Sequence, residues 1–135
     1  MKNCKITPDS SGKYRRETTE FSFRLCPSPH EGVGVFCTHG IRKGTFLRLF
    51  PGPETRLATR EELARDRELA AFSHYYGIEH AGGCWIPHDF GSMEIGWFLN
   101  HSGSPNACRG EDNRYFGCRD ISAGEEISID YSSIE

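Results

Sequence analysis

A mainly β domain of short sheets, interrupted by one short helix, is the fold class the sequence predicts. Three observations carry it. Fifteen glycines and seven prolines in 135 residues punctuate the chain too often for long helices. The apolar segments are short, several alternate with polar residues, and most are bounded by Gly, Pro or Asp. One stretch stands out as a helix start, the capping box Thr59-Arg60-Glu61-Glu62.

Taken in order, residues 1–20 are polar, carry a turn at Pro8-Asp9-Ser10-Ser11-Gly12, and are expected to form a loose N-terminal arm ahead of a single domain over residues 21–135. Phe21-Ser22-Phe23-Arg24-Leu25 alternates as a half-buried strand does. Val35-Phe36-Cys37, Phe46 to Phe50, Tyr115 to Cys118 and Ile127 to Tyr131 read as further short strands. After the capping box, Leu63, Ala70 and Ala71 offer a narrow apolar stripe, and the many charges around it describe a solvated helix face with no assigned chemistry. His74-Tyr75-Tyr76-Gly77-Ile78 is read as extended, which puts Tyr75 and Tyr76 on opposite faces. No internal repeat is evident.

Composition narrows the function. A net charge of -3 argues against nonspecific nucleic-acid binding, which depends on clustered Lys and Arg. No apolar run approaches the roughly 20 residues a membrane span requires, and the N-terminus lacks the apolar segment of a signal peptide, so a cytoplasmic or nuclear location is expected. The six cysteines show no Cys-x-x-Cys spacing and are expected to be reduced thiols, several of them buried. His80, Cys84 and His88 recur every four residues, but Gly82, Gly83 and Pro87 disfavour the helix that would align them, so no metal site is assigned.

Three motifs remain, each with an ordinary explanation. Gly32-Val33-Gly34 suits a hairpin turn, and without a third glycine or a following helix it is no dinucleotide fingerprint. Asn100-His101-Ser102 with Pro105-Asn106 suits a polar turn. Tyr131, at the end of an alternating strand, suits a packing residue with its hydroxyl at the surface.

In this order, however, Glu31-Gly32-Val33-Gly34-Val35-Phe36 with Ile41-Arg42-Lys43-Gly44, then Asn100-His101-Ser102 with Pro105-Asn106, then Gly124-Glu125-Glu126-Ile127-Ser128-Ile129-Asp130-Tyr131 resemble the motifs of the SET domain family of protein lysine methyltransferases. The resemblance spans Phe21 to Tyr131. It implies a β-clip fold with a knot-like C-terminal segment and S-adenosylmethionine as cofactor, contacted by Gly32, Val33, Gly34, Phe98, Asn100, His101 and Tyr131. It makes Tyr131 the catalytic residue. It lines a lysine channel with Tyr75 or Tyr76, of which Tyr76 is favoured because Ile78 would share its face, and with Ile129, whose aliphatic side chain leans toward multiple methylation. The implied partner is a histone or another basic protein presenting a lysine, with no nucleic acid or membrane. A homodimer could supply a wall, because the chain ends at Ser132-Ser133-Ile134-Glu135 without the zinc-binding tail of longer members. Trp97 replaces an arginine common in the family, Gly103 a cysteine, and Phe50 the tyrosine of a Tyr-x-Gly at Phe50-Pro51-Gly52. The alternative reading is a catalytically weak domain of this kind that serves as a peptide-binding module.

Overall fold

Three small sheets divide the strands of this computed structural model, which describes residue 4 and residues 14–30, 32–51, 55–110 and 114–131. The expected turn at 8–12, Glu31 and Gly52 of the motifs, and residues 132–135 lie outside the described residues. The first sheet runs in the order β1 (Phe23–Pro27), β2 (Val33–Cys37), β9 (Glu126–Ile129), β6 (Asn100–His101). The second runs β3 (Arg56–Thr59), β5 (Gly83–Ile86), β4 (Ile78–His80), and the third is the hairpin of β7 (Ala107–Arg109) with β8 (Tyr115–Gly117). The fold is mainly β, as expected.

The core follows from strand alternation. Val35 pairs with Ile127 between β2 and β9, and both are fully buried. Ile41, Leu47, Leu49 and Ile121 close around them. Leu47 and Leu49 reach this core without the strand predicted over Phe46 to Phe50: the segment is held by a bridge from Phe46 to Phe116, by Leu47 N–H to the Tyr115 carbonyl, by Gly96 N–H to the Leu49 carbonyl and by the Thr18 hydroxyl.

The structure also contains a symmetry that the search for repeats missed. Ile41-Arg42-Lys43-Gly44-Thr45 and Ile121-Ser122-Ala123-Gly124-Glu125 are equivalent turns, with Gly44 at φ 84° and Gly124 at φ 85°. Ile41 and Ile121 exchange both backbone bonds at 2.8 Å. Gly124 N–H donates to Cys37 as Gly44 N–H donates to Gly117, each at 2.8 Å. Only isoleucine and glycine persist between the two segments, too little identity to register as a repeat, yet they are the residues that the buried bridge and the left-handed turn require.

The single expected helix is two, α1 (Arg60–Arg65) and α2 (Arg67–Tyr76). The capping box forms as read, with Glu62 N–H donating to the Thr59 hydroxyl and Thr59 N–H to the Glu62 carboxylate, both at 3.2 Å. Asp66 then stops one helix and starts the next. Its extended backbone, φ -124° and ψ 105°, frees its carboxylate to accept from Leu69 N–H at 3.0 Å. A short acidic side chain that can satisfy a helix's unpaired N–H groups competes with continuing through the position. Tyr75 and Tyr76 therefore end a helix, and the strand alternation expected for them does not apply.

The cysteines require a second correction. Cys108 and Cys118 are disulfide-bonded, with Cα atoms 5.5 Å apart. Antiparallel pairing of β7 with β8 brings the two positions within bridging reach, which a sequence separation of ten does not reveal. Cys26, Cys37 and Cys84 are free and buried. Burial pushes the Cys37 thiol up to about 11 against backbone hydrogen bonds that favour the thiolate, and its S–H donates to the Ser122 carbonyl, so it is a protonated packing residue at neutral pH.

Residues 14–20 lie against this core. Arg15 N–H donates to the Gly40 carbonyl and Arg42 N–H to Arg15, both at 2.9 Å, and the Thr18 hydroxyl donates to Phe46 at 2.7 Å.

Candidate active site

Two chain segments far apart in sequence meet where β6 and β9 run side by side. They pair in parallel, Asn100 against Ser128 and His101 against Ile129, and Ser102 N–H extends the ladder to the Ile129 carbonyl at 2.9 Å. So short a parallel contact needs support from side chains, and Asn106 provides it. This residue is 2% exposed and uses both ends of its amide. Its nitrogen donates to the Glu126 carbonyl at 2.7 Å and the Glu125 carboxylate at 2.9 Å, while its oxygen accepts from Ser128 N–H at 2.9 Å. Asn106 thus stands in for a missing strand, satisfying backbone groups of β9 that would otherwise be buried unpaired.

Glu125 is tied in from several sides. Burial pushes its carboxyl up, but hydrogen bonds from Arg119, Asn106 and Ser122 N–H outweigh burial and hold it below the ordinary 4.5. A carboxyl lowered on folding adds stability that is complete above its unfolded value and is lost as pH falls through its folded value. Stability is therefore expected to drop as pH falls below about 4.5, and to drop less steeply in Glu125→Gln, which cannot titrate. Urea denaturation of both proteins across this range checks it; parallel profiles would remove Glu125 from the account.

Asn100 is anchored just as firmly. Its nitrogen donates to the Glu126 carboxylate at 2.8 Å and the Val33 carbonyl at 3.2 Å. Glu126 in turn accepts from the Ser28 hydroxyl at 2.8 Å. These contacts explain one glycine of the Gly-x-Gly turn: a β-carbon at Gly34 would stand 2.2 Å from the Glu126 carboxylate and 3.1 Å from the Asn100 amide nitrogen. Gly32 is different. It adopts φ 52°, and a β-carbon there would meet nothing within 4 Å among the described residues.

Tyr131 is held at both ends. Its backbone N–H donates to His101 Nδ1 at 3.1 Å, and the two rings lie 5.4 Å apart. Asp130 places a carboxylate oxygen 3.8 Å from the same His101 nitrogen. The Tyr131 hydroxyl donates to the Leu99 carbonyl. With its proton committed, the phenol oxygen keeps lone pairs that can accept a hydrogen bond from another group. The residue is 43% exposed, so another molecule can approach it.

Of the expected site residues, the structure bonds Asn100 to Val33, packs Gly34 against the Asn100–Glu126 pair, and bonds His101 to Tyr131, the two contacts being joined through the adjacent residues Asn100 and His101. Phe98 packs on the core, and its ring lies 6.0 Å from that of Tyr76. Tyr76 also faces Phe90, whereas Tyr75 is 82% exposed. Ile129 is buried in the main core. Trp97, which replaces the family's arginine, is likewise buried, edge-on to Phe50 at 5.3 Å. His80, Cys84 and His88 do not converge: the His80 ring meets Trp85, the Cys84 thiol bonds the Ser73 carbonyl, and no metal-holding group of three is found among the described residues. Sequence reasoning missed Glu126 and Ser28. Alternation along β9 gives Glu126 an outward polar position, and only the β2–β9 register reveals that it turns back onto Asn100.

The model of the SET domain family matches residues 32–132, three quarters of the chain. The chain belongs to the SET domain family. Among solved structures, it is similar to a Plasmodium falciparum protein described as a "putative histone methyltransferase", at 23% identity and a TM-score of 0.51, covering 84% of this chain and 95% of that one. At that identity the likeness speaks to the SET fold alone. No curated protein matches the chain significantly.

Proposed function

We propose that this SET domain is an S-adenosylmethionine-dependent protein lysine N-methyltransferase. The single observation that supports it best is the placement of Tyr131, with its hydroxyl bonded to Leu99, its backbone bonded to His101, and Asn100 fixed alongside. The turn at Gly32 and the half-exposed rings of His101 and Tyr131 fit a cofactor with a charged sulfur and an aromatic base. Gly32, Val33, Gly34, Phe98, Asn100 and His101 would hold it. Bound there, it supplies an electrophilic methyl group on a sulfonium sulfur.

The chain's own contribution is alignment and desolvation. Displacement at a methyl carbon needs an in-line, unprotonated amine, whereas a lysine with pKa about 10.4 is almost wholly protonated in neutral water. We assign the desolvating wall to the ring cluster of Tyr76, Phe90 and Phe98, where loss of water would favour the neutral amine. The Tyr131 phenol oxygen, with its proton donated to Leu99, accepts a hydrogen bond from the amine and turns the nitrogen lone pair toward the methyl group. Ile129 lies in the main core and adds no hydroxyl that could hold a water, and on the family resemblance we extend the reading to more than one methyl per lysine.

Incubating the protein with labelled S-adenosylmethionine and an array of lysine peptides tests the reading. Label is expected on lysine side chains of basic peptides. Peptide binding without transfer would identify a docking module instead.

A further inference from the structure

The Ile41 turn carries a second feature that the lysine site does not use. Arg16, Arg42, Lys43, Gly44, Thr45 and Asp120 line an open cleft of about 470 Å³. Arg16 is far from the others in sequence and is delivered by the backbone bonds of Arg15 to Gly40 and Arg42. Asp120 is largely committed: one oxygen accepts from Lys43 N–H at 2.8 Å, and the other lies 3.9 Å from Arg42 in an exposed pair. Among the described residues, neither Arg16 nor Lys43 forms an ion pair. Three cations against one carboxylate leave two positive charges in excess, in a chain whose net charge is -3.

The backbone that carries these side chains is fixed by hydrogen bonds, so the three cations are brought to one polar cleft. Thr45 lines the cleft while only 6% exposed, and its hydroxyl has no hydrogen-bond partner among the described residues. Ser73 Oγ is the enclosed side-chain oxygen without a partner among the described residues, so the Thr45 hydroxyl is not sealed off and is open to an acceptor that enters the cleft. We propose that this cleft binds a phosphoryl oxyanion, with Arg16, Arg42 and Lys43 neutralising it and the Thr45 hydroxyl donating to one of its oxygens. The charge matches, because a phosphate monoester carries about -1.5 to -2 at neutral pH. Guanidinium groups suit its oxygens through paired N–H donors. Among the described residues the lining has no aromatic or aliphatic wall, so the site reads the oxyanion and not an attached base or hydrocarbon. The inference stands apart from methyl transfer.

Calorimetric titration of the full chain at low ionic strength with inorganic phosphate, ribose 5-phosphate and a short DNA duplex tests it. Saturable binding of inorganic phosphate is expected, at least tenfold weaker in the surface double variant R16Q/K43Q, several-fold weaker in Thr45→Val and unchanged in R60Q/R65Q. Equal affinities for the two small ligands assign the oxyanion alone, and tighter ribose 5-phosphate assigns a phosphorylated small molecule; both support the site. Absence of saturable phosphate binding, equal binding by R16Q/K43Q, or binding of the duplex alone would overturn it.

Discussion

Tyr131→Phe is expected to fold, to bind the cofactor about as well as the wild type, and to lose methyl transfer by roughly 10²- to 10³-fold, the usual cost of deleting one positioned polar contact made mainly in the transition state. The substitution removes one oxygen and keeps the ring that faces His101. Two effects compete. Losing the hydroxyl strands the Leu99 carbonyl, and a buried unpaired acceptor costs about 1 to 3 kcal/mol. Yet Tyr131 is 43% exposed, so water can replace the hydroxyl and the penalty should fall at the low end. The loss of rate, equivalent to about 3 to 4 kcal/mol of activation energy, should therefore exceed any loss of stability. Single-turnover methyl transfer, thermal melting and cofactor titration on both proteins separate these effects. Activity within a fewfold of wild type would remove Tyr131 from the chemistry, and a melting temperature lowered in proportion to the activity would mark it as a packing residue.

The features legible in the sequence were those set by local rules. The capping box at Thr59 and Glu62 depends on residues three apart, and it forms as read. Alternation located β1, β2, β8 and β9 to within about two residues, because each buries one face in the same core. What escaped depends on register between distant segments. β6 is two residues long and exists only because β9 lies beside it. The Cys108–Cys118 bond depends on a hairpin whose strands are three residues each, too short to show a period. Tyr75 and Tyr76 read as extended, whereas Asp66 starts a helix that carries through to Tyr76. At the candidate site, the motif residues were visible one by one, but not the contacts that make them a unit. Glu126 touches Ser28, Asn100 and the space above Gly34 at once, and no spacing in the chain encodes that coincidence.

Asn106 shows how much of the fold can hang on one such contact, and Asn106→Ala is expected to cause the largest loss of stability of any single polar substitution in the chain. Sequence reasoning left this residue in a turn, yet its amide bonds the Glu126 carbonyl, the Glu125 carboxylate and Ser128 N–H from a position only 2% exposed. Alanine strands a buried donor and acceptor of β9 and leaves a cavity, and at about 1 to 3 kcal/mol for each stranded group the total comes to roughly 3 to 5 kcal/mol. That is a large share of the about 5 to 15 kcal/mol that keeps a typical domain folded. The loss should spread to the site, because β9 carries Glu126 toward Asn100 and leads into Tyr131. Asn106→Asp sharpens the test. It keeps an acceptor for Ser128 N–H but turns an oxygen toward the Glu125 carboxylate and the Glu126 carbonyl, replacing two attractions with two repulsions. At neutral pH the aspartate variant should be at least as unstable as the alanine variant, despite its closer shape. Urea denaturation of the three proteins measures this. A loss under about 1 kcal/mol in Asn106→Ala, or an aspartate variant as stable as wild type, would show that β9 is held by its strand neighbours alone.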